Sequence, residues 1–192
     1  MLKIRATANK LLVVCDPPDE KTKGGLFIPE KYQIASSIGK IVSVGSNLTD
    51  KYLCGERILF NKGSACEIEF EGVEYSVVTV DEKNKPYAKT SKDLRGVLVL
   101  EVINGYALVK RVEYGQLSSI LEIPQDYRPP LATAFMCEVA CVDTDVETFG
   151  LKRGVNVICN PYCGYEVALD GETHFFTQMQ GDDSMIECIL EE

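Results

Sequence analysis

The sequence predicts an all-β protein built as two tandem small β-barrels, and three observations carry that expectation. Short runs rich in Val, Ile, Phe and Tyr are divided by Gly, Pro, Asn and Asp at the close spacing of a small barrel or sandwich. No window sustains a helical hydrophobic period with caps, so helix is expected to be a minor component. The second half also repeats the first in a drifting register. At an offset of 95, Asn9 meets Asn104, Val13 meets Leu108, Leu26 meets Leu121, Ile28 meets Ile123 and Pro29 meets Pro124. At 98, Ile41 and Val44 meet Val139 and Val142, and at 99, Gly55, Asn61, Glu67 and Tyr75 meet Gly154, Asn160, Glu166 and His174. Insertions inside loops account for the drift, and the pattern is that of a duplication.

Taken in order, the first copy offers strands at Lys10–Cys15, Ile38–Val44, 57–61, 67–70 and 74–80. Glu71-Gly72 and, in the second copy, Asp170-Gly171 are hairpin-turn sequences. The polar, Lys-rich stretch 81–93 with Pro86 reads as the connection between copies. Residues 94–102 return to strand, and either close the first domain or lead into the second. The division is set at 1–93 and 94–192, with a divergent loop at about 113–135 in the second copy.

Between the first two strands lies a long polar loop, residues 16–37, with three bulky apolar side chains in its middle: Gly24-Gly25-Leu26-Phe27-Ile28-Pro29. Long structureless loops in compact domains are uncommon unless they serve a function, and an apolar tip suits docking into an apolar groove on another protein. The same run also fits a short buried strand at 26–28, bounded by a glycine turn and a proline.

Acidic side chains outnumber basic ones 29 to 20, for a formal net charge of −9, and no Lys/Arg block offers a phosphate-binding stripe. Nucleic acid is not an expected partner. No apolar run reaches the length of a bilayer span, and Met1 leads into a strand-like segment without a signal-peptide pattern, so a soluble cytoplasmic protein with no membrane partner is expected. The eight cysteines fit a reducing compartment better than a disulfide framework. The pairs Cys137, Cys141 and Cys159, Cys163 share a four-residue spacing, which along a strand merely places both on one face; small core residues are expected there, and no metal. The sole histidine, His174, aligns with Tyr75 and is expected to fill a strand position. There is no Gly-x-Gly-x-x-Gly fingerprint after a strand and no evident nucleophile and base pair, so neither a cofactor nor an enzymatic activity is expected.

Residues 3–82 resemble a GroES-type co-chaperonin of the chaperonin 10 family, the lid of the chaperonin folding cage. The resemblance rests on Leu11-Leu12-Val13-Val14, on the loop from Lys21 through Gly24-Gly25-Leu26-Phe27-Ile28-Pro29 to Lys31, on Gly39 to Gly45, and on Gly55-Glu56-Arg57-Ile58 leading to Asn61. It implies two GroES-like barrels and a mobile loop that becomes a hairpin in a groove of a nucleotide-bound GroEL-type chaperonin. Leu26, Phe27 and Ile28 would be the anchors, Gly24 and Gly25 the source of backbone freedom, and Pro29 the stop. It further implies a homo-oligomeric ring, closed by pairing the first strand of one subunit with the last strand of the next. The second copy departs from the pattern: its loop has no paired glycines and reads Leu121-Glu122-Ile123, so it is expected to dock weakly or not at all. Only residues 46–54 occupy the place of the family's roof hairpin, which implies a short or open roof. The tandem form is similar to chloroplast co-chaperonins without a transit peptide, and a bacterial or viral relative, the latter in a host cytoplasm, fits equally. A GroES-fold structural or binding module, such as a virion component, is the alternative function.

Overall fold

The computed structural model describes residues 3–18, 26–27, 37–94, 98–112, 135–143, 150–160, 164–169, 172–179 and 185–190. These residues are nearly all β. The first copy contributes β1 (Lys10–Cys15), β2 (Ile38–Val44), β3 (Arg57–Leu59), β4 (Cys66–Phe70), β5 (Val73–Thr79), β6 (Ala88–Lys92) and β7 (Leu98–Val102). The second contributes β8 (Tyr106–Arg111), β9 (Phe135–Val142), β10 (Asn156–Cys159), β11 (Tyr165–Leu169), β12 (Glu172–Gln178) and β13 (Ile186–Leu190). Among the described residues the helical content is one 3-10 turn, Lys62–Ser64, where the Asn61 side chain accepts from the Gly63 amide at 3.0 Å.

Strand order proves the duplication in three dimensions. The first sheet runs β4-β5-β1-β2-β3-β6-β7 and the second β11-β12-β8-β9-β10-β13. Replacing each strand of the second sheet by its counterpart gives the order of the first, with β7 left over. The register agrees in detail: β1 on β2 carries a bulge between Leu12 and Val13, and β8 on β9 carries one between Leu108 and Val109. That match fixes the offset at 96 along the opening strand, so Val13 corresponds to Val109 rather than to Leu108, and Ala8 rather than Asn9 to Asn104. From β4 to β5 the offset is 99, as the sequence indicates.

In the first unit β1 is central and covered on both faces, which is why Leu11, Leu12 and Val13 are buried in succession where a one-faced strand would alternate. Ile41 of β2, Ile58 and Leu59 of β3, Phe60 and Val78 are buried as well. The turn segment after β2 adds Leu48 and Tyr52 to the buried set and leaves Leu53 63% exposed at the surface. Glu71 and Gly72 both hold positive φ, +51° and +76°, the geometry of a two-residue hairpin turn joining β4 to β5. Asp170-Gly171 lies outside the described residues.

The stretch 81–93 is not a plain connection, because it contains β6. Ala88 and Thr90 face inward while Lys92 is exposed, and Arg57, Ile58 and Leu59 pair with Thr90, Lys89 and Ala88. The strand was hidden because Ala-Lys-Thr-Ser-Lys carries one apolar side chain, so it shows no hydrophobic alternation. The following strand, β7, also joins the first sheet. Compact units accordingly form at 1–101 and 102–192, displaced toward the C-terminus from the division at residue 93.

The second unit buries Ala107, Val109, Cys137, Val139, Leu151, Val157, Cys159 and Met179 as one cluster. Cys137 and Cys159 are therefore core residues, and among the described residues no group of three or more His, Cys, Asp or Glu side chains is placed to share a metal ion. Cys163 lies outside the described residues. His174 sits in β12 opposite Val167, with Nδ1 3.2 Å from the Glu172 carbonyl. Among the described residues no helix is long and apolar enough to cross a membrane.

Candidate functional site

The site is built from the bottom by the β1–β2 pair. Cys15 lies opposite Gly39, and the Asp16 amide donates to the Ile38 carbonyl at 2.9 Å, so the chain leaves β1 and re-enters β2 at adjacent points. Gly39 is required at that junction. A Cβ there would lie 2.5 Å from Val13 Cγ1 and 2.7 Å from the Val14 carbonyl oxygen. On the other side of β2, the Phe60 amide donates to the Ser37 carbonyl at 3.0 Å. The Arg57 guanidinium, two strands from β1, forms an ion pair with the Asp16 carboxylate. Neighbouring Glu56 ties β3 to both sides: Oε1 accepts from Lys89 Nζ at 2.9 Å and Oε2 from the Leu53 amide at 2.8 Å.

Leu26 and Phe27 belong to the segment that this base joins. They are 73% and 67% exposed, and Phe27 takes part in an isolated β-bridge. The buried-strand reading of this segment does not hold at these two positions. Two adjacent large apolar side chains standing in water can supply an anchor for an apolar groove, and they supply no catalytic chemistry. Gly24, Gly25, Ile28 and Pro29 lie outside the described residues, as do Leu121, Glu122 and Ile123 of the second loop.

The Asp16–Arg57 pair was missed by sequence reasoning. The partners are 41 positions apart, and neither stands in a charge pattern that singles it out.

Comparison with known proteins adds the family. The family model described as "Chaperonin 10 Kd subunit" matches residues 3–82, a span containing the whole loop and both strands that hold it. "Co-chaperonin GroES" of Desulfatibacillum aliphaticivorans is 32% identical over 89 residues, covering 42% of this chain and 94% of that protein. The chain belongs to the chaperonin 10 family. Proteins of the same name in Parabacteroides distasonis and Phocaeicola vulgatus are 31% and 29% identical over 80 residues, covering 40% of this chain and 90% and 89% of theirs. These chaperonin 10 relatives thus correspond in length to one of the two β units, and residues 83–192 fall outside the family match. The second unit reproduces the strand order of the first.

Proposed function

We propose that the protein is a co-chaperonin that caps a nucleotide-bound GroEL-type chaperonin and assists ATP-dependent folding in the cytoplasm. Its first loop is the principal contact, with Leu26, Phe27 and Ile28 as anchors, Gly24 and Gly25 as the flexible lead-in and Pro29 as the stop. The observation that carries this reading is the exposure of Leu26 and Phe27 on a segment whose two ends are hydrogen-bonded to neighbouring strands. Burying three such side chains gains about 5 to 8 kcal/mol gross. Ordering the loop returns about 2 to 5 kcal/mol, which leaves weak affinity per loop. Several loops on one assembly then bind tightly together through effective concentration while each contact remains reversible. The second loop, with Glu122 between Leu121 and Ile123, contributes little.

A homo-oligomeric ring supplies the several loops. Support comes from β7, which lies beside β6 and covers an edge that its counterpart in the second sheet, β13, leaves at the sheet margin. The repeat relates β7 to residues 2–6, so residues 2–6 of one chain adding to β13 of another would repeat within the assembly the join already made inside the chain.

The test is co-migration of the purified protein with a GroEL-type chaperonin, with and without nucleotide. Nucleotide-dependent co-migration supports the reading. Its absence favours a GroES-fold module that serves another partner.

A further inference from the structure

We propose that Arg57 is a positioning residue for the first loop, fixing through its ion pair with Asp16 the point and direction at which the loop leaves the barrel. Its consequence for capping rests on the docking role given to Leu26 and Phe27 above; its effect on the loop base stands independently.

Three features converge on this base. Asp16 is the first residue past β1, and the hydrogen bond its amide donates to the Ile38 carbonyl is the last rung described between the two stems. The carboxylate stands at the same residue, so it holds the chain at the point where it leaves β1. Arg57 stands opposite Lys40 and reaches the carboxylate across β2, on the face of the sheet that carries Lys40 and Ile38 rather than the buried face to which Gly39 belongs. Arg57 is itself held in place, since β3 lies between β2 and β6 and the adjoining Glu56 is paired with Lys89 of β6. A planar guanidinium with several fixed donors suits such a cross-strand hold better than an ammonium.

The second copy provides an internal control. The position matching Asp16 there is Val112 and that matching Arg57 is Asn156, which cannot form an ion pair. The loop bearing the continuous apolar tripeptide has the clamp, and the loop interrupted by Glu122 does not.

Amide hydrogen exchange on the full-length protein tests the clamp. In Arg57→Gln, the amides of Asp16 and Phe60, which hold the two stems, should exchange about three- to tenfold faster, with those of β4 and β5 unchanged. The charge-swapped double variant Asp16→Arg, Arg57→Asp should restore the slower exchange. Unchanged exchange at both amides, acceleration spread evenly over the sheet, or failure of the swap to restore protection would each overturn the proposal. A second arm measures binding to a GroEL-type chaperonin with nucleotide, where Arg57→Gln should weaken capture by a similar factor and the swap should recover it. If the unaltered protein fails to bind chaperonin, the docking reading falls while the exchange arm still decides the clamp.

Discussion

Ala8 and Asn104 occupy the same place in the two copies and share a left-handed backbone, with φ of +46° and +62°. Each follows the first residue of a tight turn, closed by Lys10 donating to Thr7 at 3.0 Å and by Tyr106 donating to Ile103 at 3.4 Å. Asparagine adopts this conformation at lower cost than alanine, so the first copy holds strain that the second largely avoids. Ala8→Gly or Ala8→Asn should therefore stabilise the protein by about 0.5 to 1 kcal/mol, and Asn104→Ala should destabilise it by a similar amount. Denaturant melts of the three variants check the signs.

Gly45 and Asp143 are also counterparts, and they solve one packing problem differently. A Cβ on Gly45 would stand 2.1 Å from the Ala8 carbonyl oxygen, so Gly45→Ala should cost about 1 to 3 kcal/mol. Asp143 is buried and accepts from the Gly105 amide at 2.7 Å. Asp143→Ala removes that acceptor and should cost about 1 to 3 kcal/mol. Thermal unfolding of each variant measures the loss.

Thr177 of β12 is fully buried, and its hydroxyl lacks a hydrogen-bond partner among the described residues. The first copy has Val78 at the same point of β5. Thr177→Val replaces an unsatisfied hydroxyl with a methyl of nearly the same shape and should stabilise by about 1 kcal/mol. A lower unfolding midpoint in the variant would show that the hydroxyl is paired in solution.

On the surface, Lys110 Nζ donates to Glu172 Oε1 at 2.7 Å, and this hydrogen bond holds the Glu172 carboxyl below its ordinary pKa. A carboxylate depressed in the folded state favours folding above its unfolded pKa, and that contribution fades as pH falls through the folded value. Lys110→Met should raise the Glu172 midpoint in an NMR titration, and the acid side of the stability profile should flatten correspondingly.

The two loops should respond unequally. Phe27→Asp places a charge where the proposed docking needs an apolar contact and should abolish chaperonin binding, while Glu122→Ala should leave it nearly unchanged. Binding measured under identical nucleotide conditions decides the ranking, and equal losses would reverse it.

Strand positions were legible wherever apolar residues alternate or run together, as in Lys10–Cys15 and Ile38–Val44, both found at the expected bounds. β6 was illegible because its fit depends on β3 and β7 beside it, a tertiary circumstance that polar Ala-Lys-Thr-Ser-Lys does not advertise. The duplication was legible, but its opening register was off by one, since Asn9 and Asn104 match as letters while Ala8 and Asn104 match as backbone. The apolar loop tip announced itself through three adjacent side chains in a polar context. The Asp16–Arg57 hold did not, because it is created only when β1 and β3 come to lie on either side of β2.

Native mass spectrometry of the protein with a GroEL-type chaperonin and nucleotide, run in parallel with Phe27→Asp, addresses the capping role most directly. The account predicts a nucleotide-dependent complex for the unaltered chain and none for the variant. A complex that survives Phe27→Asp, or no complex with the unaltered chain, would contradict it.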